Sequence, residues 1–234
     1  DGTATVSRIM KKAKKNSFGV AITDHNAIKG SLQAFKQSTK KTPVIPAVEV
    51  NSSSGRDILL YFYDIKELED FYRKNIRDNF GLNPSGKLKT DLYEILDRAS
   101  ETNCLISAPH PFGLAHKNLY RKIKKDVSYE YLDKFHAIEI MNGEMPRKIN
   151  RNAIVWNYNL DKGFTGGSDA HTLKEVGDVL TCSKAENIEE FLDNIKNKKN
   201  FVVGLETGVK KKAVAYPSVF RKHAPYLHPK LINK

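Results

Sequence analysis

Side chains able to bind a metal ion close most of the short apolar runs of this chain. These side chains are Asp24, His25, Glu49, His110, Glu139, Asn142, Asp169 and His171. Mixed imidazole and carboxylate ligands suit zinc, manganese or iron, whereas calcium requires oxygen ligands alone. Burying several carboxylates together costs free energy unless cations compensate them. The residue types therefore predict a metal site, and a carboxylate able to bridge two ions favours a multinuclear hydrolytic site.

The apolar runs must lie in elements that bring these side chains together. Runs of about five residues alternate with helical patterns of about 12, which predicts βα units around a largely parallel sheet. The carboxyl ends of parallel strands meet on one face, so residues far apart in sequence should gather there. At least six strand candidates flanked by helices favour a closed barrel over an open sheet, although periodicity alone does not decide between the two.

The charge of the chain indicates its partners. The net charge is +12, and the basic clusters are Lys11 to Lys15, Arg121 to Lys125, Lys196 to Lys199 and Lys210 to Lys212. Such clusters favour anionic partners such as nucleotides or nucleic acid, although lysines on solvated helix faces would give the same pattern. We expect no membrane partner, because no apolar run approaches the roughly 18 to 20 residues of a membrane-spanning helix.

The cysteine content indicates the compartment. Cys104 and Cys182 both lie inside apolar, strand-like runs, where a small buried thiol is the common meaning. This pattern is typical of a reducing, cytoplasmic location. The sequence does not indicate an oligomeric state.

The motifs taken together resemble those of the polymerase and histidinol phosphatase (PHP) superfamily of metal-dependent phosphoesterases. The matching segments, in the order of the family, are DGTA, GVAITDHN, IPAVEVN, APHPFG, AIEIMNG and GSDAH. Each segment alone is a weak signal, but the set is specific. The resemblance implies an α/β fold, a distorted (β/α)7 barrel with its metal site at the strand C-termini. We expect that domain over residues 1–208 and a basic C-terminal arm over residues 209–234.

The resemblance also implies a ligand set for two or three divalent ions. Zinc, manganese or iron are expected, with magnesium as a further candidate. In this set Glu49 bridges two ions, with Asp169 on the first and His110 on the second. The ligands of the third ion are Asp1, His25 and His171.

The chain departs from the family's motifs in two places. The family's first motif starts with a His-x-His pair that binds the first ion, and this chain starts at Asp1, after that pair. We expect the pair in an upstream segment. The second departure is Asp57 in RDILLYFYD, where the family commonly has a ligand histidine. Asp57 either replaces it as an oxygen ligand, which would favour manganese or magnesium, or is a solvated residue at the strand start.

Three further polar residues lie beside the motif residues. Asp24 adjoins His25 and either orients it by hydrogen bonding or bonds to backbone. Asn26 and Asn142 lie at strand ends, within reach of a bound phosphate. Asn is also a common turn residue, which is the competing interpretation.

The implied activity is hydrolysis of a phosphate ester by a metal-activated water. The substrate would be a phosphomonoester, a nucleotide or a short oligonucleotide. Two alternatives stay open. A basic nucleic-acid-binding or polymerase-accessory module with a degraded site would explain the missing histidine pair and Asp57. A metal-dependent amidohydrolase has a similar barrel, but no lysine closes a strand here to serve as the bridging lysine of many such enzymes.

Overall fold

The computed structural model describes residues 2–80, 86–114, 118–126 and 128–205, which form a mixed α/β fold. The strands are β1 (Ala47–Asn51), β2 (Asp57–Phe62), β3 (Cys104–Ala108), β4 (Ala137–Asn142), β5 (Gly163–Gly167), β6 (Val179–Ser183) and β7 (Asn200–Gly204). Strands β1 to β5 form one sheet in that spatial order, and β6 pairs with β7 in an antiparallel ladder. The mixed α/β class predicted from the sequence is confirmed.

β2 is the exception in the largely parallel sheet that the sequence predicted. β2 runs antiparallel to both β1 and β3, whereas β3, β4 and β5 are parallel to one another. Residues 52–56 alone connect β1 to β2, and a parallel connection needs a crossover of a dozen or more residues. As a result the start of β2 lies beside the end of β1, with Asp57 paired to Asn51.

Extended backbone over residues 20–25 runs parallel to β1. Val20 forms an isolated bridge with Val44, and His25 forms one with Glu49. The backbone N–H of Asn26 also donates to the carbonyl of Glu49 at 2.9 Å. The strand predicted for GVAITDHN is therefore present only as an extended segment with two bridges. Within the described ranges the strands form two separate sheets, so closure of a seven-stranded barrel stays a prediction.

Helices cover the sheet, and some of them begin at side-chain caps. They are α1 (Val6–Asn16), α2 (Lys29–Phe35), α3 (Ile65–Asn75), α4 (Leu92–Ser100), α5 (Leu119–Asp126), α6 (Arg147–Leu160), α7 (Ile188–Lys196) and a 3-10 helix (Tyr129–Lys134). The side chains of Asp64, Asp91 and Asn187 accept first-turn N–H groups of α3, α4 and α7. Such caps satisfy donors that a helix start leaves without an intrahelical partner.

The sheet is buried on both faces, which leaves its strand ends as the place for a site. All residues of β1 and of β3 are buried. A large cluster packs Ile58 and Leu60 of β2 with Leu68 of α3 and Leu96 of α4. A smaller cluster packs β3 and β4 against α7. Inside the sheet the hydroxyls of Ser107 and Thr165 form a buried pair at 3.0 Å, and larger polar side chains meet towards the strand ends.

Some sequence predictions fall outside the described residues. These are Asp1 and the basic arm over residues 209–234. The search for membrane spans covers the described residues, and none of their helices combines the length and the apolar character that crossing a bilayer requires.

Candidate metal centre

Two carboxylates and two imidazoles meet where β1 ends and β2 begins. Glu49 Oε2 lies 3.6 Å from His25 Nδ1, and Glu49 Oε1 lies 3.4 Å from His110 Nε2. Asp57 repeats this arrangement, with Oδ1 3.6 Å from His25 Nε2 and Oδ2 3.7 Å from His110 Nε2. One ligand atom from each of His25, Glu49 and Asp57 fits within 4.8 Å of the others. Each carboxylate therefore contacts both imidazoles with different oxygens.

The backbone explains why these four side chains meet. The bridge to Glu49 fixes His25 beside β1, and the antiparallel pairing with Asn51 fixes Asp57 beside the same strand end. His110 follows the end of β3, and its backbone N–H donates to Glu139 Oε2 of β4 at 2.8 Å. His110 has a φ of 28°, an uncommon conformation for a non-glycine residue. Backbone strain of this kind clusters at functional sites.

Burial and negative charge together favour a positive charge in this cluster. The exposed fractions of Glu49, Asp57 and His110 are 6%, 2% and 3%. Burial alone would lower the pKa of His110, but the hydrogen bond and charge of Glu49 and the nearby charges of Asp169 and Asp57 raise it to about 9. The carboxylates thus hold a positive charge on a buried imidazole. The same field would stabilise a bound cation.

The donor set fits a divalent metal ion. His110 Nδ1 is buried, and within the described part of the chain it finds no hydrogen-bond partner. Nε2 of the same ring faces Glu49 and Asp57 at 3.4 and 3.7 Å, and it is the nitrogen that an ion held by these carboxylates would bind. Imidazole and carboxylate donors together suit zinc, manganese or iron.

A second polar group extends from the ends of β4 and β5. Asn142 Nδ2 donates to Glu139 Oε2 at 2.9 Å and to Asp169 Oδ2 at 3.1 Å. His171 Nδ1 lies 3.3 Å from Glu144 Oε1 and 3.0 Å from the carbonyl oxygen of Asp169. The hydrogen bond to Glu144 raises the pKa of His171, although its burial acts in the opposite direction. The second group therefore also holds acidic and imidazole side chains close together.

One cavity of about 1350 Å³ connects the two groups. The polar residues of both groups that line it are Glu49, His110, Glu139, Asn142, Asp169 and His171. Its volume exceeds the roughly 300 to 1,000 Å³ of an ordinary small-molecule pocket. The space can hold metal ions together with a substrate.

The structure brings most of the predicted ligands to this cavity. His25, Glu49, Asp57 and His110 form the first group, and Asp169 and His171 belong to the second. Asp1 lies outside the described residues. The N–H of the nearby residue Thr3 donates to the carbonyl of His171 at 2.7 Å. The assignment of each residue to a particular ion stays a prediction.

The sequence did not predict two acidic residues that take part in these contacts. Glu144 contacts His171, and Glu175 Oε2 accepts the N–H groups of His171 at 3.1 Å and Thr172 at 2.9 Å. Glu144 follows the motif AIEIMNG directly, so its position at a strand end was a usable signal. Glu175 lies in a connection without hydrophobic periodicity, and no local pattern indicated its contact.

The three residues predicted to assist the ligands make structural contacts. Asn142 joins Glu139 to Asp169, as described above. Asn26 is 1% exposed, and its Nδ2 donates to the carbonyls of Asn51 and Gly86 at 3.2 and 2.8 Å. Asp24 lines the cavity, and a Cβ atom at Gly30 would collide with its carboxylate. Substrate binding by the two asparagines stays a prediction.

Asn26→Ala is expected to lower the free energy of unfolding by about 2 to 4 kcal/mol. The variant loses both donated hydrogen bonds and the one that Asn26 Oδ1 accepts from the N–H of Asn51 at 2.9 Å. It also places alanine at a φ of 52°. Urea unfolding measures the loss.

Asn26→Gly is the matched control, because glycine accepts the positive φ but lacks the same hydrogen bonds. It should lose slightly less stability than Asn26→Ala. Unchanged stability in both variants would show that the side-chain amide of Asn26 does not stabilise the end of β1.

Comparisons with known proteins agree with this architecture. The PHP-associated family matches residues 148–200. An uncharacterized protein of Methanocaldococcus jannaschii is 31% identical over 194 residues, which is 79% of this chain and 69% of that protein.

Solved structures share the fold. A two-domain protein from Bacteroides vulgatus, which contains a predicted PHP-like metal-dependent phosphoesterase, has a TM-score of 0.62 and 14% identity over 95% of this chain and 66% of its own. Endonuclease Q, in complex with a 27-mer duplex substrate with an abasic lesion at the active site, has a TM-score of 0.67 and 20% identity. That match covers 86% of this chain and 55% of the endonuclease chain. At these identities the likeness shows the fold.

Proposed function

The chain belongs to the PHP superfamily, and from this membership we propose that it hydrolyses a phosphate ester with divalent metal ions bound at the centre described above. The observation that carries the proposal is the position of Glu49, whose two carboxylate oxygens face His25 and His110 at 3.6 and 3.4 Å. A carboxylate between two imidazoles can bridge two ions, as hydrolytic sites with two metals require. We extend the proposal to Asp169 as a ligand of the first ion, to a third ion held by Asp1, His25 and His171, and to a closed (β/α)7 barrel.

The ions would supply two kinds of chemistry at this centre. When bound, they lower the pKa of water towards about 7 and neutralise charge on the phosphoryl oxygens. Glu49, Asp57, His25 and His110 would hold them. The acidic and imidazole ligands leave zinc, manganese, iron and magnesium as candidates.

Other side chains of the chain fix these ligands in place. Glu139 accepts the backbone N–H of His110 and so positions that residue at the strand end. Asn142 holds the carboxylate of Asp169 against Glu139. Glu144 and the carbonyl of Asp169 engage His171 at Nδ1, which leaves Nε2 as the ring nitrogen available to an ion or a phosphate. Preorganised ligands reduce the cost of binding both metal and substrate.

The substrate class has support from charge and cavity size. A net charge of +12 favours anionic substrates, and a cavity of about 1350 Å³ accommodates a nucleotide or the end of an oligonucleotide. Endonuclease Q, which has a similar fold, acts on a duplex substrate with an abasic lesion. A phosphodiester in a nucleic acid is therefore a candidate substrate beside small phosphomonoesters.

Removal of the metal is expected to abolish hydrolysis reversibly. The full chain should be purified without chelator, its metal content measured by mass spectrometry, and its activity tested on p-nitrophenyl phosphate and bis(p-nitrophenyl) phosphate. We expect at least one tightly bound transition-metal ion per chain. Dialysis against a chelator should reduce the rate by about 10² or more, and manganese or zinc should restore it.

The two substrates separate monoesterase from diesterase activity within one preparation. The matched control is the same protein dialysed without chelator. A rate that survives complete removal of the metal would overturn the proposal, and so would a metal-loaded protein without activity on either ester.

A further inference from the structure

A groove between α5 and α6 lies next to the metal centre. It has a volume of about 490 Å³, and its lining includes Phe112, Tyr120, Arg121, Lys124, Ile149 and Asn152. Phe112 follows the metal-centre residue His110 by two positions, which is at most about 7 Å of backbone. A polymer that lies in the groove could therefore extend into the metal centre.

Hydrogen bonds join both helices of the groove to residues at or beside the metal centre. On the α5 side, the N–H of Tyr120 donates at 3.0 Å to the carbonyl of Pro111, the residue after His110. On the α6 side, Asn150 Oδ1 accepts the N–H of Asn142 at 3.1 Å, and Asn150 Nδ2 donates to the Asn142 carbonyl at 3.0 Å. These hydrogen bonds hold the groove in a fixed position relative to the ligands.

Two half-buried aromatic rings, those of Phe112 and Tyr120, line the groove. Phe112 stacks on Tyr120 with ring centroids 4.8 Å apart and an interplanar angle of 27°. Trp156 of α6 packs edge-on against both rings, with centroids 5.7 and 5.6 Å away. Partly exposed aromatic faces of this kind allow nucleobases to stack, at about 1 to 3 kcal/mol per base.

Positive charge surrounds these rings. The exposed cations of the two helices include Arg121, Lys124, Lys125, Lys148 and Arg151. The sequence of α6, RKINRNAIVWNYNL, contains no acidic residue. In α5 the acidic residue is Asp126, which pairs with Lys122. The walls of the groove therefore carry a surplus of positive charge.

We propose that this groove binds a single nucleic acid strand and leads one of its phosphodiesters to the metal centre. Arg121 and Lys124 bind phosphates, and Phe112 and Tyr120 stack with bases. Stacking surfaces interleaved with cations are typical of single-strand binding, whereas an acidic peptide needs the cations alone. The inference rests on the proposed hydrolysis and names its substrate class.

Binding of a fluorescent single-stranded DNA of about 20 nucleotides tests the groove. Fluorescence anisotropy of the full chain, with chelator present to prevent cleavage, should be measured over a range of salt concentrations. For the variant Arg121→Gln/Lys124→Gln we expect binding weaker by about 10-fold or more. The slope of log Kobs against log salt should fall by about 1.4, because two phosphate contacts are lost.

The matched control is Lys66→Gln/Lys74→Gln, which removes two exposed charges from α3, outside the groove. It should bind the DNA within about twofold of the wild-type chain. Equal weakening by the control and groove variants would overturn the inference, since net charge alone would then explain binding. Competition by polyglutamate as effective as by unlabelled DNA would also overturn it and favour an acidic peptide.

Hydrolysis of bis(p-nitrophenyl) phosphate separates this inference from the proposed function. The groove variant should keep the wild-type rate with this small ester, because the substituted residues lie outside the metal centre. If the chain hydrolyses the small ester but binds DNA independently of the groove, the inference is contradicted and the proposed function is not. A chain that hydrolyses neither ester would sink the proposed function, while the binding measurement would still report on the groove.

Discussion

Glu49→Gln is expected to lower kcat/KM for phosphoester hydrolysis by about 10³-fold or more, which corresponds to about 4 kcal/mol. Glutamine keeps the shape of the side chain but removes the charge that faces His25 at 3.6 Å and His110 at 3.4 Å. A neutral amide cannot bridge two cations as a carboxylate does. The variant should also lose bound metal, and steady-state kinetics with metal analysis on the same preparation measures both effects.

Glu130→Gln is the matched control for this substitution, since Glu130 is exposed in the 3-10 helix (Tyr129–Lys134). It should retain wild-type metal content and rate. Circular dichroism should show that Glu49→Gln is folded, because an amide at a buried position carries no charge to desolvate. If Glu49→Gln keeps its metal and more than about a tenth of the wild-type rate, Glu49 does not hold the ions.

The positions of Glu49 and His110 at the candidate metal centre could be predicted because their signal is local. Each is a polar residue that closes a short apolar run, as Glu49 closes AVEV and His110 follows CLISAP. Local runs determine which residues form strands, and a sheet brings the strand ends together. The same reasoning identified Asp169 and His171, which lie just after β5.

The role of Asp57 could not follow from that rule. The rule gathers the carboxyl ends of parallel strands, and Asp57 stands at the start of a strand that runs the other way. The short connection of residues 52–56 contained the necessary information, because it is too short for a crossover. Reading the length of that connection would have placed Asp57 opposite Asn51, beside Glu49.

The contacts of Glu144 and Glu175 with His171 had weaker signals, because connections between elements create them. Glu175 Oε2 receives two backbone N–H groups within a loop whose course depends on the packing of the strands around it. Side-chain periodicity describes faces of helices and strands and carries no information about such loops. The same limit applies to barrel closure, which depends on pairings between distant segments.

The second large effect is expected for His110→Asn, which should reduce hydrolysis by at least about 10² and change the pH dependence of stability. Asparagine tolerates a positive φ such as the 28° of His110 better than most residues do, so the backbone should be retained. The substitution removes an imidazole that contacts Glu49 and Asp57. Two buried carboxylates would then lack one of their cationic partners.

The pH dependence follows from the pKa values in the metal-free protein. The pKa of His110 is raised from 6.5 to about 9, so the folded chain keeps a proton that the unfolded chain releases. Its contribution to stability is fully present below pH 6.5 and is lost as pH rises through about 9. Burial raises the pKa of Glu139 from 4.5 to about 7, so its contribution is lost in the same direction, but at lower pH.

Urea unfolding with chelator at pH 6, 7.5 and 9 tests this expectation. The free energy of unfolding of the wild-type chain should fall by roughly 3 kcal/mol between pH 6 and 9, and His110→Asn should lack most of this fall. The measurement would contradict the assignment if both proteins lost the same stability over that interval.

His136→Asn separates the charge of His110 from a general effect of losing a buried histidine. Burial lowers the pKa of His136 to about 4, so this ring is neutral in both the folded and the unfolded chain above pH 7. Its Nδ1 accepts the N–H of Ile106 at 3.0 Å, and the variant should lose about 1 kcal/mol with that hydrogen bond. The loss should be the same at pH 7.5 and at pH 9. Of these two imidazoles, only that of His110 faces Glu49 and Asp57, so only its loss should change the pH dependence of stability.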